Sequence, residues 1–147
     1  MARNNRVSLQ GNITSDIYYD RVQRNGTELS YLRVYLVVDG SREAPPVKGI
    51  RVVFYGSLAE LAAAYLQKGS RIEIEGHIQL RTHEGSLVFE VVAEDVDYIL
   101  NVDTEAGERK YQEMLTQGRI RPRWNESSPE ASPVRVGHAG KTDEAGL

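Results

Sequence analysis

Two stretches of this chain alternate rings and guanidiniums at a period of two. In the first, Tyr31, Arg33 and Tyr35 share one face of a strand pattern whose other face is Leu32, Val34 and Leu36. In the second, Arg51, Val53 and Tyr55 oppose Val52 and Phe54. Successive side chains of a strand point to opposite sides. Burying the aliphatic sets therefore turns Tyr31, Arg33, Tyr35, Arg51 and Tyr55 outward together. Arg6 projects from an N-terminal strand on the same logic, and Arg81 and His83 sit on a later hairpin. Such a surface offers stacking faces for planar groups and positive charge for phosphates. The bland alternatives stay open: tyrosines 31 and 35 suit a subunit interface equally well, and Arg81 with His83 suits a solvated turn.

Other chemistry has little to draw on. The chain has no cysteine, and its three histidines, at 77, 83 and 138, stand in no ligand spacing. Glu73 and Glu75 share a face, but their alternation with Ile72 and Ile74 reads as a solvated strand face and not as an acid–base pair. There is no nucleophile–base pair and no phosphate loop. The expectation is a protein without catalytic site, metal or cofactor. No apolar run approaches the ~18 residues of a membrane span, and the N-terminus lacks the apolar core of a signal peptide, so a cytoplasmic protein is expected. Net charge is −3, so any phosphate contact depends on where cations are placed.

The elements that must hold these residues are legible in order. Arg6–Asn12 alternates as a first strand, and Gly11 permits a bend. Residues 13–24, with Tyr18, Tyr19 and Arg21, read as a bent strand or a connection. Asn25-Gly26 predicts a tight hairpin turn, followed by a long strand over Leu29–Val38. A polar Gly/Pro loop over 39–49 leads to a third strand ending at Tyr55. Ser57 with Glu60 reads as a capping box opening a helix over 58–66, and Lys68-Gly69 closes it. A fourth strand from Arg71 to about Arg81 bends at Gly76, and the turn at 83–85 leads to a fifth strand over Leu87–Val96. The order β-β-β-α-β is the OB-fold pattern. The expected fold class is all-β: a five-stranded OB barrel with one helix between strands three and four. The expected domain is 4–102. Residues 103–147 read as a largely disordered tail, with a short helix over 105–117 and a basic RIRPRW cluster holding Arg119, Arg121, Arg123 and Trp124.

The stretch VVFYGSLAELAAAYLQKGSRIEIEG, together with GNIT and Asn25-Gly26 before it, resembles the bacterial single-stranded DNA-binding protein family over about residues 4–100. The resemblance implies an OB fold working as a homotetramer, with a dimer as the alternative. It implies sequence-tolerant binding of single-stranded DNA in replication, recombination and repair, beside the nucleoid. The candidate DNA-binding residues are Arg6, Tyr31, Arg33, Tyr35, Arg51, Tyr55, Arg81 and His83. Three departures stand out. The positions where the family commonly carries stacking aromatics align with Gly49, roughly Gly40, and His83, leaving Tyr55 as the retained ring. Ile17 replaces the usual proline. The chain ends TDEAGL where the family has an acidic Pro-Phe tip, so recruitment by the tip is not carried over; replication or repair proteins stay candidate partners of the tail, and the RIRPRW cluster reads as a DNA contact, a partner contact or neither. Two rival readings remain: an OB-fold interaction subunit of a replication or restart complex with weak DNA affinity, and a single-stranded RNA binder.

Overall fold

The aliphatic face of one long strand decides the architecture. In the computed structural model, which describes residues 4–120, Leu32, Val34 and Leu36 are fully buried. They lie on β3 (Thr27–Val38), against Val52 and Phe54 of β4 (Val47–Tyr55). The remaining elements are β1 (Val7–Ile13), β2 (Tyr18–Arg24), α1 (Gly56–Tyr65), β5 (Arg71–His83), β6 (Ser86–Leu100) and α2 (Thr104–Thr116). Strand order is β1-β5-β6-β4-β3-β2, and β1 also pairs with β3. The circuit β1-β5-β6-β4-β3-β1 therefore closes into a five-stranded barrel with α1 between its third and fourth strands. That is the expected OB fold.

A sixth strand is the difference from expectation. The segment 13–24, read as a bent strand or a connection, contains β2, which pairs with β3 through a hairpin. Asn25 and Gly26 make its turn at φ 53° and 77°, as a two-residue primed turn requires. The residues of β2 are mostly exposed, because YYDRVQR offers no apolar face to a barrel interior. It can only flank the ring.

Two glycines let the barrel close. At Gly11, β1 exchanges its partner: Gly11 faces Ile72 of β5 and Val38 of β3. A Cβ there would lie 2.1 Å from the Val37 carbonyl oxygen. At Gly76, where β5 bends against β6, a Cβ would lie 1.9 Å from the Val92 oxygen. The last seam is short. β4 and β6 run parallel and pair only at Val52–Val91 and Val53–Val92.

Helix α1 plugs the barrel with Ala59, Leu61, Ala62 and Tyr65. It does not use the expected capping box. The helix starts at Gly56, Tyr55 is its N-cap, and no side chain caps it. Glu60 is engaged elsewhere: it accepts from the Ser30 hydroxyl and pairs with Lys110 and Arg119. Helix α2 is capped by Asp103, whose carboxylate accepts from the Ala106 amide at 3.0 Å. Its Tyr111 and Met114 are buried in the same core as the barrel, and Gly107 lies against the Tyr65 ring. Arg121, Arg123 and Trp124 lie outside the described residues. No helix of the described residues is long and apolar enough to cross a membrane.

Candidate nucleic-acid interface

The register of three strands assembles the site. Across β3 and β4, Tyr31 faces Tyr55, Arg33 faces Val53, and Tyr35 faces Arg51. Across β2 and β3, Tyr18 faces Arg33. Cross-strand partners share a face, and here that face points away from the barrel interior.

A continuous run of rings and guanidiniums results. Arg24 lies over the Tyr55 ring, its Cζ 4.0 Å from the centroid. Tyr55 meets Tyr31 at 5.4 Å between centroids, and Tyr31 meets Tyr18 edge-on at 6.2 Å. Arg33 closes the run, its Cζ 4.5 Å from the Tyr18 centroid. Neither Arg24 nor Arg33 has a carboxylate partner among the described residues. Their guanidiniums lie on ring faces, and the Nε of Arg33 is buried without a hydrogen-bond partner.

The members differ in access. Tyr18 is 43% exposed, whereas Tyr31 is 6% exposed. Tyr31 packs with Val53 and Val92 in a small apolar cluster outside the barrel, supported by Val22 and Tyr55. It is the foundation of the run, and Tyr18 and Tyr55 are its accessible rings. Tyr18 donates its hydroxyl to the Asp20 carboxylate at 3.0 Å. That bond and the Asp20 charge raise the Tyr18 phenol above its usual value. Burial pushes the Tyr55 phenol up as well. Both rings are neutral stacking surfaces at physiological pH.

Arg51 and Arg81 are organised differently. Both donate their Nε to the buried carboxylate of Glu90, each at 2.8 Å. Gln79 adds a third bond to Glu90 at 2.8 Å. Arg51 also donates through Nη1 to the Tyr35 hydroxyl at 3.1 Å. Burial works against its charge, but the bond it donates to Glu90 and the nearby Tyr35, Tyr31 and Glu90 outweigh it and hold Arg51 above its ordinary value. An apolar cleft of about 200 Å³ opens beside Gly49, bounded by Ile50, Ile78, Phe89 and Val91 with Arg51 and Glu90 at its rim.

Of the eight residues proposed from sequence, Tyr31, Arg33, Tyr35, Arg51 and Tyr55 meet on one surface, and Arg81 joins them through Glu90. Arg6 stands apart, paired with Glu75 at 3.5 Å on β5. His83 is at the β5–β6 tip, 3.7 Å from Glu84. Sequence reasoning missed Arg24 and Glu90. The Asn25-Gly26 turn was enough to find the first, since a two-residue hairpin fixes which β2 residues share the face of Tyr31 and Arg33. Among the described residues no group of His, Cys, Asp or Glu is arranged to hold a metal ion.

A model of the single-strand binding protein family matches residues 4–99. Single-stranded DNA-binding protein 1 of Staphylococcus aureus is 27% identical over 135 residues, covering 85% of each chain. A single-stranded DNA-binding protein of Clostridium tetani is 35% identical over 104 residues, covering 65% of this chain and 70% of its own. The dimeric structure of the N-terminal domain of PriB protein from Thermoanaerobacter tencongensis superposes with a TM-score of 0.52 at 19% identity, covering 67% of this chain and all of that one. That likeness is one of fold.

Proposed function

The chain belongs to the single-strand binding protein family, and on that premise we propose how it captures single-stranded DNA. It binds the strand with little sequence preference and keeps it free of hairpins and nucleases. The observation that carries the mechanism is the run Arg24–Tyr55–Tyr31–Tyr18–Arg33. Every base has a π-face, so stacking tolerates any sequence, and each stacked base is worth roughly 1–3 kcal/mol. Two accessible tyrosines supply the stacking. Arg24 and Arg33 already lie on those rings and move with an arriving base, exchanging a ring face for a phosphate or for the base itself. Arg51 and Arg81 add charge along the β4 and β5 side.

This reading needs no catalytic group and no cofactor. It fits work beside the nucleoid in the cytoplasm, in replication, recombination and repair. The binding face lies within residues 4–102, α2 packs against the core of that module, and the residues beyond α2 are the part that meets replication or repair proteins. A homotetramer is the working form, with a dimer as the alternative. What supports assembly is an apolar strip on the β5–β6 hairpin: Ile78, Leu80, Leu87 and Phe89 are 42%, 56%, 73% and 68% exposed. Contiguous apolar surface of this kind marks contact sites.

Anisotropy of a labelled dT oligomer, competed with unlabelled dT, rU and duplex DNA, tests the ligand. The reading expects dT to compete best and duplex worst. Equal competition by rU would favour the RNA reading.

A further inference from the structure

Glu90 is a carboxylate where a nucleic-acid face should have none. Its side chain is fully buried, yet it lies between Arg51 and Arg81, both candidate phosphate contacts. Electrostatics alone makes it a liability, since it cancels one of two positive charges at the site. The bonds say otherwise. One carboxylate oxygen accepts from Arg51 Nε and the other from Arg81 Nε and Gln79 Nε2, all at 2.8 Å. The donors come from β4 and β5, and Glu90 stands on β6 between them.

A guanidinium is a planar fork. Held by Nε alone, as Arg81 is, it keeps its far edge, with both Nη groups, for another acceptor. Among the described residues the Nη groups of Arg81 have no acceptor, and its side chain is 36% exposed. Arg51 gives Nη1 to Tyr35, and its Nη2 is buried without a partner. We infer that Glu90 is a positioning residue: it clamps Arg51 and Arg81 by their Nε atoms, so that the free Nη edge of Arg81, backed by the charge of Arg51, forms a phosphodiester site. The inference rests on the single-stranded DNA reading. Two arginines on one carboxylate leave a net charge of +1. The clamp keeps long side chains from folding onto the protein, which lowers the ordering cost of binding.

The sign of one substitution separates clamp from liability. Glu90→Gln removes a negative charge, and simple charge counting then predicts tighter binding. An amide has one acceptor oxygen, however, and its NH₂ would face an Nε–H donor, so one arginine is released. The clamp predicts about tenfold weaker binding of a labelled dT oligomer, and a log–log salt slope smaller by about 0.7, the single-strand value for one phosphate. A merely structural loss lowers the melting temperature without altering that slope. Should Glu90→Gln fail to fold, Arg81→Lys on the partly exposed side tests the same point. Lysine keeps the charge but has one donor group, which can bind Glu90 or a phosphate and not serve as a clamped fork. It should bind as weakly as Arg81→Ala. Wild-type affinity in Arg81→Lys, or unchanged or tighter binding in a folded Glu90→Gln, overturns the clamp alone. A wild-type protein that does not bind dT overturns the DNA reading and the clamp with it.

Discussion

The guanidinium of Arg24 covers the ring of Tyr55, with Cζ 4.0 Å from the centroid. The two residues come from strands that do not pair, since β3 lies between β2 and β4. The contact therefore reports how the β2–β3 hairpin folds over the outer face of the barrel. It also places a cation where a base would stack. A cation–π contact at a partly exposed site is worth roughly 0.5–1 kcal/mol, less than a stacked base contributes, so exchange favours the base.

Loss of Arg24 should thus cost less than loss of the ring beneath it. Arg24→Ala is expected to weaken dT binding about three- to tenfold and to lower the salt slope by about 0.7, as for one phosphate contact. Titrations between low and moderate salt measure both quantities. An unchanged slope would mean that Arg24 meets no phosphate.

Helix α2 should prove part of the folded body. Tyr111 and Met114 are 1% and 0% exposed and share the barrel core. Met114→Ala is expected to destabilise by about 2–5 kcal/mol, read by urea denaturation. A loss below about 0.5 kcal/mol would place the helix outside the cooperative unit.

Gly76 should tolerate no side chain. A Cβ would sit 1.9 Å from the Val92 oxygen, and backbone oxygen in a sheet ladder cannot move aside cheaply. Gly76→Ala is expected to destabilise by about 3 kcal/mol or more. Gly26→Ala, at the open hairpin turn with nothing within 4 Å, suffers only the strain of its positive φ. Circular dichroism melts of the two variants give the comparison.

Glu60 should show in the acid limb of stability. Burial alone would raise its carboxyl, but Arg119, Ser30 and Lys110 outweigh burial and hold it below the ordinary value of 4.5. A folded value below the unfolded one means that the contribution is fully present above about pH 4.5. It is lost as pH falls through the folded value. The melting-temperature gap between wild type and Glu60→Gln should therefore be widest near neutrality and shrink on acidification. A constant gap would contradict the network.

Much of this architecture is readable in the sequence because period-two patterns are local. Leu32, Val34, Leu36, Val52 and Phe54 define the interior without any knowledge of strand order. The outward turn of Tyr31, Arg33, Tyr35, Arg51 and Tyr55 follows from the same parity. What parity cannot give is who meets whom across strands. That Arg51 and Arg81 share Glu90 depends on the β5–β6 register, set by the turn at Glu84-Gly85, and on the two-pair seam between β4 and β6. Glu60 misled for a related reason. Its spacing from Ser57 satisfies a capping box, but Ser30, Lys110 and Arg119 reach it from residues distant in sequence. Tertiary partners overrode a local pattern. Tyr31 illustrates the limit of alternation: it faces outward as expected, yet its neighbours bury it.

The central claim is that tyrosine faces on this surface hold single-stranded DNA, and a pair of titrations tests it most directly. Anisotropy of a labelled dT oligomer at low salt would be measured with the wild-type chain and with Tyr18→Ala/Tyr55→Ala. The account predicts saturable wild-type binding tighter than about 10 µM, that is about −7 kcal/mol. It predicts at least about tenfold loss in the double variant, for two stacking faces worth roughly 1–3 kcal/mol each, with the melting temperature little changed. Equal affinity of a folded double variant, or wild-type binding weaker than about 10 µM, would contradict it.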